Sequence, residues 1–137
     1  MKSITDLNAG DHFEIIFTIT EDLHNGFMAL SGDDSPIHSD VEFCKNNGFP
    51  ERLGYAFLIT TLLSQIYGKH FPGGSELCLS QSTNFKKPFF VNDKLKFRVE
   101  VSGINEAFKV LNTRVTVYNQ RQDKIFFGDG ILKLCLE

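Results

Sequence analysis

Residues 55–67 contain no charged side chain, and Tyr55, Ala56, Phe57, Leu58, Ile59, Leu62, Leu63, Ile66 and Tyr67 spread apolar surface over most sides of the segment. Folded as a helix, such a segment is expected to be buried all round, since it has no polar face to offer water. Gly68 is expected to stop it, and Pro72-Gly73-Gly74 to turn the chain. A lone helix of this kind needs a large apolar surface around it, and no second helix in the chain matches it.

The partner surface is written downstream. Residues 94–101 alternate polar and apolar without exception, Lys-Leu-Lys-Phe-Arg-Val-Glu-Val, the mark of a strand with one wet face. Residues 111–117 repeat the alternation more weakly, with threonines read as outward, and residues 124–136 bring Leu132, Leu134 and Leu136 to one face. Residues 76–85 supply one more strand and residues 12–19 a first one; Asn92-Asp93 and Ser102-Gly103 stand where turns are needed. Two short helices precede the apolar one: residues 21–30 capped by Thr20, and a segment capped by Ser39 or Asp40 that runs through Cys44 and ends at Asn46-Asn47-Gly48. The order is α+β, with about four antiparallel strands after the helix, and a sheet curled round one buried helix is the hotdog arrangement. Pattern alone leaves other α+β sheets open.

Composition narrows the function classes. The 137 residues suit one domain spanning 1–137. A net charge of −3, with Lys86-Lys87 the only adjacent basic pair, argues against nucleic-acid partners. Three widely spaced cysteines, Cys44, Cys78 and Cys135, offer neither a disulfide framework nor a zinc site and suit a reducing cytoplasm. No stretch has the length of a membrane span.

Chemistry concentrates in Ser31-Gly32-Asp33-Asp34-Ser35-Pro36-Ile37-His38-Ser39-Asp40. Gly32 and Pro36 form turns, so the stretch reads as a rigid loop rather than a regular element, able to aim Asp33 and His38 at one point. Ordinary pKa values of about 4 for Asp and about 6.5 for His let such a pair hold one proton acceptor and one donor near neutrality. Taken alone, Asp33 reads more readily as a turn residue and His38 as a structural imidazole than as a catalytic pair. Asp33, His38 and Asp40 as metal ligands would lack a fourth partner. His12, His24 and His70 read as surface residues.

The stretch resembles the S-G-D-x-N-P-x-H-x-D motif of the MaoC-like, (R)-specific enoyl-CoA hydratase family. Tyr55-Ala56-Phe57-Leu58, Phe71-Pro72-Gly73-Gly74, the segment from Leu79 to Pro88 and Phe90-Val91-Asn92-Asp93 are similar to further family segments in the same register. The resemblance implies a hotdog fold, usually dimeric, that adds water reversibly and syn to a trans-2-enoyl thioester of coenzyme A or acyl carrier protein, with no metal or organic cofactor. It implies Asp33 and His38 as the catalytic pair around one water, the backbone N–H of Ala56 as donor to the thioester carbonyl, and Ser64 beside the pair. Ser31, Gly32 and Tyr55 would support the pair, Phe57 would line an acyl tunnel, and Lys86 would meet a phosphate of the carrier. Ser64 read alone is as readily a helix serine bonded to its own backbone, and Lys86 a solvated strand-edge lysine. A helix N-terminus at the carbonyl would favour the negative charge that builds there.

Ala56 replaces the family's Gly, Ser35 its Asn and Asn92 a further Gly; none removes a catalytic group. Two rivals remain at this level. A hotdog thioesterase generally carries its carboxylate on the central helix, and residues 55–67 contain none. A thioester-binding domain without turnover is the other.

Overall fold

The computed structural model describes residues 2–74 and 76–135. A short 3₁₀ turn (Ile4–Asp6) leads into strand β1 (His12–Thr18), followed by helices α1 (Glu21–Ser31), α2 (Pro36–Ser39), α3 (Val41–Asn46) and α4 (Ala56–Gln65). Strands β2 (Glu76–Gln81), β3 (Asn84–Phe85), β4 (Lys94–Asn105), β5 (Val110–Tyr118) and β6 (Lys124–Leu134) complete the chain. They form one antiparallel sheet in the order β1-β4-β5-β6-β2, with β3 also paired to β6.

The period-two pattern fixes which face of the sheet is dry. Leu95, Phe97, Val99 and Val101 of β4 point inward, opposite Val117, Val115 and Thr113 of β5 in turn for the last three. Against that face lie Leu58, Ile59, Leu62 and Leu63 of α4, all buried and each contributing about 1.5–3 kcal/mol of apolar burial. A curved sheet packed on one central helix is the hotdog fold.

Several expectations need correction. Helix α4 is not buried all round: Phe57 is 67 % exposed, and Thr61, Ser64 and Gln65 face outward with it. Gly68 does not stop the helix, which continues as a π turn over Ile66–His70 because Ile66 and Tyr67 still have core to fill. Thr113 points into the core, where the hydroxyl of Tyr67 lies 2.8 Å from its own. Ser102-Gly103 is a bulge inside β4, whose chain turns later, over residues 106–109. Residues 76–85 split into β2 and β3, giving five strands after the helix. Leu136 lies outside the described residues.

Glycine supplies space on the inner face of β6. A Cβ on Gly128 would sit 2.0 Å from the Ser82 carbonyl oxygen. One on Gly130 would meet the Thr113 hydroxyl at 2.5 Å and the Tyr67 hydroxyl at 2.6 Å. These two glycines therefore let β2 and the end of the central helix approach β6 closely.

Candidate active site

The motif segment is more regular than a loop. α1 begins at Thr20, whose hydroxyl accepts from the Leu23 N–H at 3.1 Å, and ends at Gly32, whose φ of 75° suits glycine. The free chain is only residues 32–35. There the Asp33 carboxylate accepts the Ser35 N–H at 3.1 Å, an Asx turn, and the Ser31 hydroxyl accepts the Asp33 N–H at 3.2 Å. Pro36 then occupies the first position of α2, where its missing N–H costs nothing. This run of turn, proline and helical turn aims His38 back at Asp33.

The result is a facing pair. His38 Nε2 lies 3.7 Å from Asp33 Oδ2, too far for a direct hydrogen bond and suited to one bridging water. His38 Nδ1 is 2.8 Å from the Leu53 carbonyl, which can only accept, so Nδ1 carries a proton and Nε2 is the nitrogen turned to Asp33. Hydrogen bonds from the Ser35 hydroxyl and N–H, with a smaller effect of His38, hold the Asp33 carboxyl below the usual carboxylate range. Tyr55 stacks on the His38 ring with centroids 3.9 Å apart and donates its hydroxyl to the Asp33 carbonyl. Burial, with Asp33 and Asp34 nearby, pushes the Tyr55 phenol upward, so it stays a donor.

His38 lines a cavity of about 330 Å³ that also reaches Leu53, Gly54, Ala56, Phe85 and Lys86; Asp33 stands beside it, across the His38 Nε2. Ala56 is the first residue of α4, whose N-terminal N–H groups have no partner within the helix. The cavity thus joins the imidazole of the pair to a donor end with a partial positive charge. Gly54, which the sequence reading passed over, allows this. Its N–H donates to the Phe89 carbonyl at 2.6 Å, and a Cβ there would lie 2.1 Å from the Phe89 ring.

Other anticipated residues sit elsewhere. Ser64 is eight residues along α4 from Ala56, roughly 12 Å at the helical rise. It lines a separate cavity of about 410 Å³ with Phe57, Tyr67, Glu76 and Gln81, so the chain does not bring it beside His38. Phe57 stands between the two cavities, edge-on to Phe85 at 6.0 Å. Lys86 lines the His38 cavity while its ammonium lies over the Phe127 ring. His12 is exposed as expected and His70 partly so, but His24 is fully buried against the back of His38, with its Nε2 2.8 Å from the His38 carbonyl. Its position on the inward face of α1 was the available signal. Among the described residues no three His, Cys, Asp or Glu side chains converge as metal ligands.

A hotdog sheet carrying an Asp–His pair next to the N-terminus of its helix defines a class, and comparison with known proteins agrees. The profile of the MaoC like domain matches residues 8–122, and the chain belongs to that family. It is 31 % identical over 108 residues to an (R)-specific enoyl-CoA hydratase of Aeromonas caviae, covering 79 % of this chain and 81 % of that one. It is 33 % identical over 89 residues to a mitochondrial 3-hydroxyacyl-[acyl-carrier-protein] dehydratase of Solanum lycopersicum, covering 65 % of this chain and 53 % of that relative. The unliganded R-hydratase of Pseudomonas aeruginosa superposes with a TM-score of 0.93 at 26 % identity, over 98 % of this chain and 86 % of that one.

Proposed function

We propose that this protein is an (R)-specific enoyl-thioester hydratase, a hydro-lyase that adds water reversibly to trans-2-enoyl thioesters. The observation that carries the reading is the 3.7 Å separation of Asp33 and His38, with His38 lining one cavity together with the first residue of α4. In the hydration direction the thioester carbonyl accepts the Ala56 N–H, which draws electrons from the double bond and leaves the third carbon open to attack. A water held between Asp33 and His38 supplies hydroxide to that carbon. One member of the pair takes the water's proton and the other delivers a proton to the second carbon on the same face, so one H and one OH are added. Dehydration runs the same steps backwards. The reaction is one addition of hydroxide to carbon and two proton transfers, with no change of overall oxidation level, so it calls for no metal or organic cofactor.

Coenzyme A and acyl carrier protein both fit as carriers; Lys86 and Lys87 at the cavity offer positive charge to a phosphate of either. A cytoplasmic setting is supported by Cys44, Cys78 and Cys135 as free thiols and by the lack of any helix, among the described residues, long and apolar enough to cross a membrane. A homodimer is supported by the exposed face of α4 and by β2, a sheet-edge strand displaying Leu77 and Leu79. Helix α4 holds no carboxylate, which disfavours thioester hydrolysis in the manner of hotdog thioesterases.

The test is the loss of enoyl-thioester absorbance with crotonyl-, hexenoyl- and decenoyl-coenzyme A. Asp33→Asn and His38→Ala are each expected to cut turnover by about 10²–10⁴-fold with an unchanged fold. Wild-type rates in either variant remove the pair from the mechanism. Thioester binding without turnover in the wild type replaces the reading with a binding domain.

A further inference from the structure

The mechanism above leaves several buried titratable groups unused, and the surroundings of one of them, His24, give it a task. We propose that His24 is a positioning residue: a buried neutral imidazole whose Nε2–H holds the His38 carbonyl, and with it the His38 ring, in line with Asp33. The inference rests on the hydratase reading of His38.

The geometry fixes the tautomer. His24 lies in the first turns of α1 with no exposed surface, and its Nε2 is 2.8 Å from the His38 carbonyl oxygen. A carbonyl only accepts, so Nε2 carries the proton and Nδ1 is left as a lone pair. That Nδ1 is buried and has no hydrogen-bond partner. A buried unpaired nitrogen is destabilising, a cost that Leu or Phe in the same space would avoid. What the imidazole supplies and an apolar residue does not is the hydrogen bond to His38. That carbonyl belongs to a four-residue helix, whose last carbonyls have no partner within the helix.

The rings extend the effect. Tyr55 lies 4.9 Å from the His24 ring and 3.9 Å from the His38 ring, and the two imidazoles are 6.3 Å apart, so the three rings pack against one another as a triangle. The same Tyr55 holds the Asp33 carbonyl through its hydroxyl. His24 and Tyr55 therefore hold the backbone carbonyls of both members of the pair, His24 that of His38 and Tyr55 that of Asp33.

Charge around His24 keeps it neutral. Burial is the largest effect, and Arg52 and His38 add to it; the hydrogen bond to the His38 carbonyl and Glu21 oppose. Arg52 is itself paired to Glu21 and Glu51, and Tyr55 faces the ring as a neutral phenol. The net direction is downward from the ordinary histidine value.

Two measurements on the purified full-length protein test this. The first uses ¹⁵N-labelled histidine and needs no substrate. His24 is expected to be neutral and protonated on Nε2 near pH 7 and to titrate below the ordinary histidine value. An imidazolium or an Nδ1-protonated ring near pH 7 overturns the proposal, as does an unmoved His38 ring signal in His24→Leu. The second is kinetic. His24→Leu is expected to lower kcat about tenfold or more with KM within about twofold, the mark of a displaced reacting group rather than lost binding. His24→Gln, whose amide nitrogen can reach the same carbonyl, is expected to restore most of the rate. Wild-type kcat in the Leu variant, or equal losses in Leu and Gln, overturns the proposal. Should the Leu variant fail to fold, the Gln variant decides: near-wild-type kcat supports the role, and a large loss ends it. A wild-type enzyme that hydrates no enoyl thioester rejects the hydratase reading instead, and leaves the ¹⁵N result to stand on its own.

Discussion

The Asp33 carboxylate lies half in solvent while His38 is largely covered, so the two answer differently to their surroundings. The carboxyl is pulled below its ordinary value chiefly by the Ser35 hydroxyl, then by the Ser35 N–H. Ser35→Ala keeps the N–H and removes the hydroxyl, so the Asp33 titration, followed by ¹³C carboxyl NMR, should move upward toward about 3.9. A depressed carboxyl contributes stability above its unfolded value and loses it as pH falls through the folded one, which confines its effect to below about pH 4. His24 acts in another window. Its depressed value means that the unfolded chain binds a proton the folded chain refuses, so stability falls as pH drops below about 6.5. The drop in Tm between about pH 7 and pH 5.5 should therefore be smaller in His24→Gln than in the wild type, read by differential scanning calorimetry.

Among the elements, the segment joining α3 to α4 tolerates little change. Gly54 lies against the Phe89 ring, which is buried and cannot swing away. Gly54→Ala should cost about 1–3 kcal/mol by denaturant titration, and should lower turnover as well, because Ala56 is two residues on. This level also separates what the sequence discloses from what it withholds. The alternation in β4 and the Thr20 cap of α1 are local signals and are legible directly. Gly32 and Pro36 suffice to foresee that Asp33 and His38 approach each other. The inward Thr113 is legible from the same alternation, which sets it with Leu111, Val115 and Val117, and His24 from the inward face of α1; the indispensable Gly54 is not, since it depends on Phe89, far along the chain. The reading of α4 as wholly buried fails for a related reason, since an uncharged face need not be covered within the chain that carries it.

For the whole molecule, the uncovered apolar surface bears on assembly. Leu77 and Leu79 on β2 remain about half exposed at the sheet edge, and Phe57 is more exposed still. Leu77→Lys combined with Leu79→Lys should convert a species of about twice 15.5 kDa into one of 15.5 kDa in analytical ultracentrifugation, by placing like charges where two copies would meet. A wild-type mass of 15.5 kDa at micromolar concentration removes the dimer from the proposal. The Leu53 anchor has a different consequence. Its carbonyl takes the His38 Nδ1 proton, its N–H donates to the Ile37 carbonyl at 3.0 Å, and it stands three residues before Ala56. Acid–base pair and carbonyl donor thus hang from one hinge pin, so residues 20–56 behave as a cassette. A graft that carries the whole cassette keeps its timing, whereas a splice inside it disarms both halves at once.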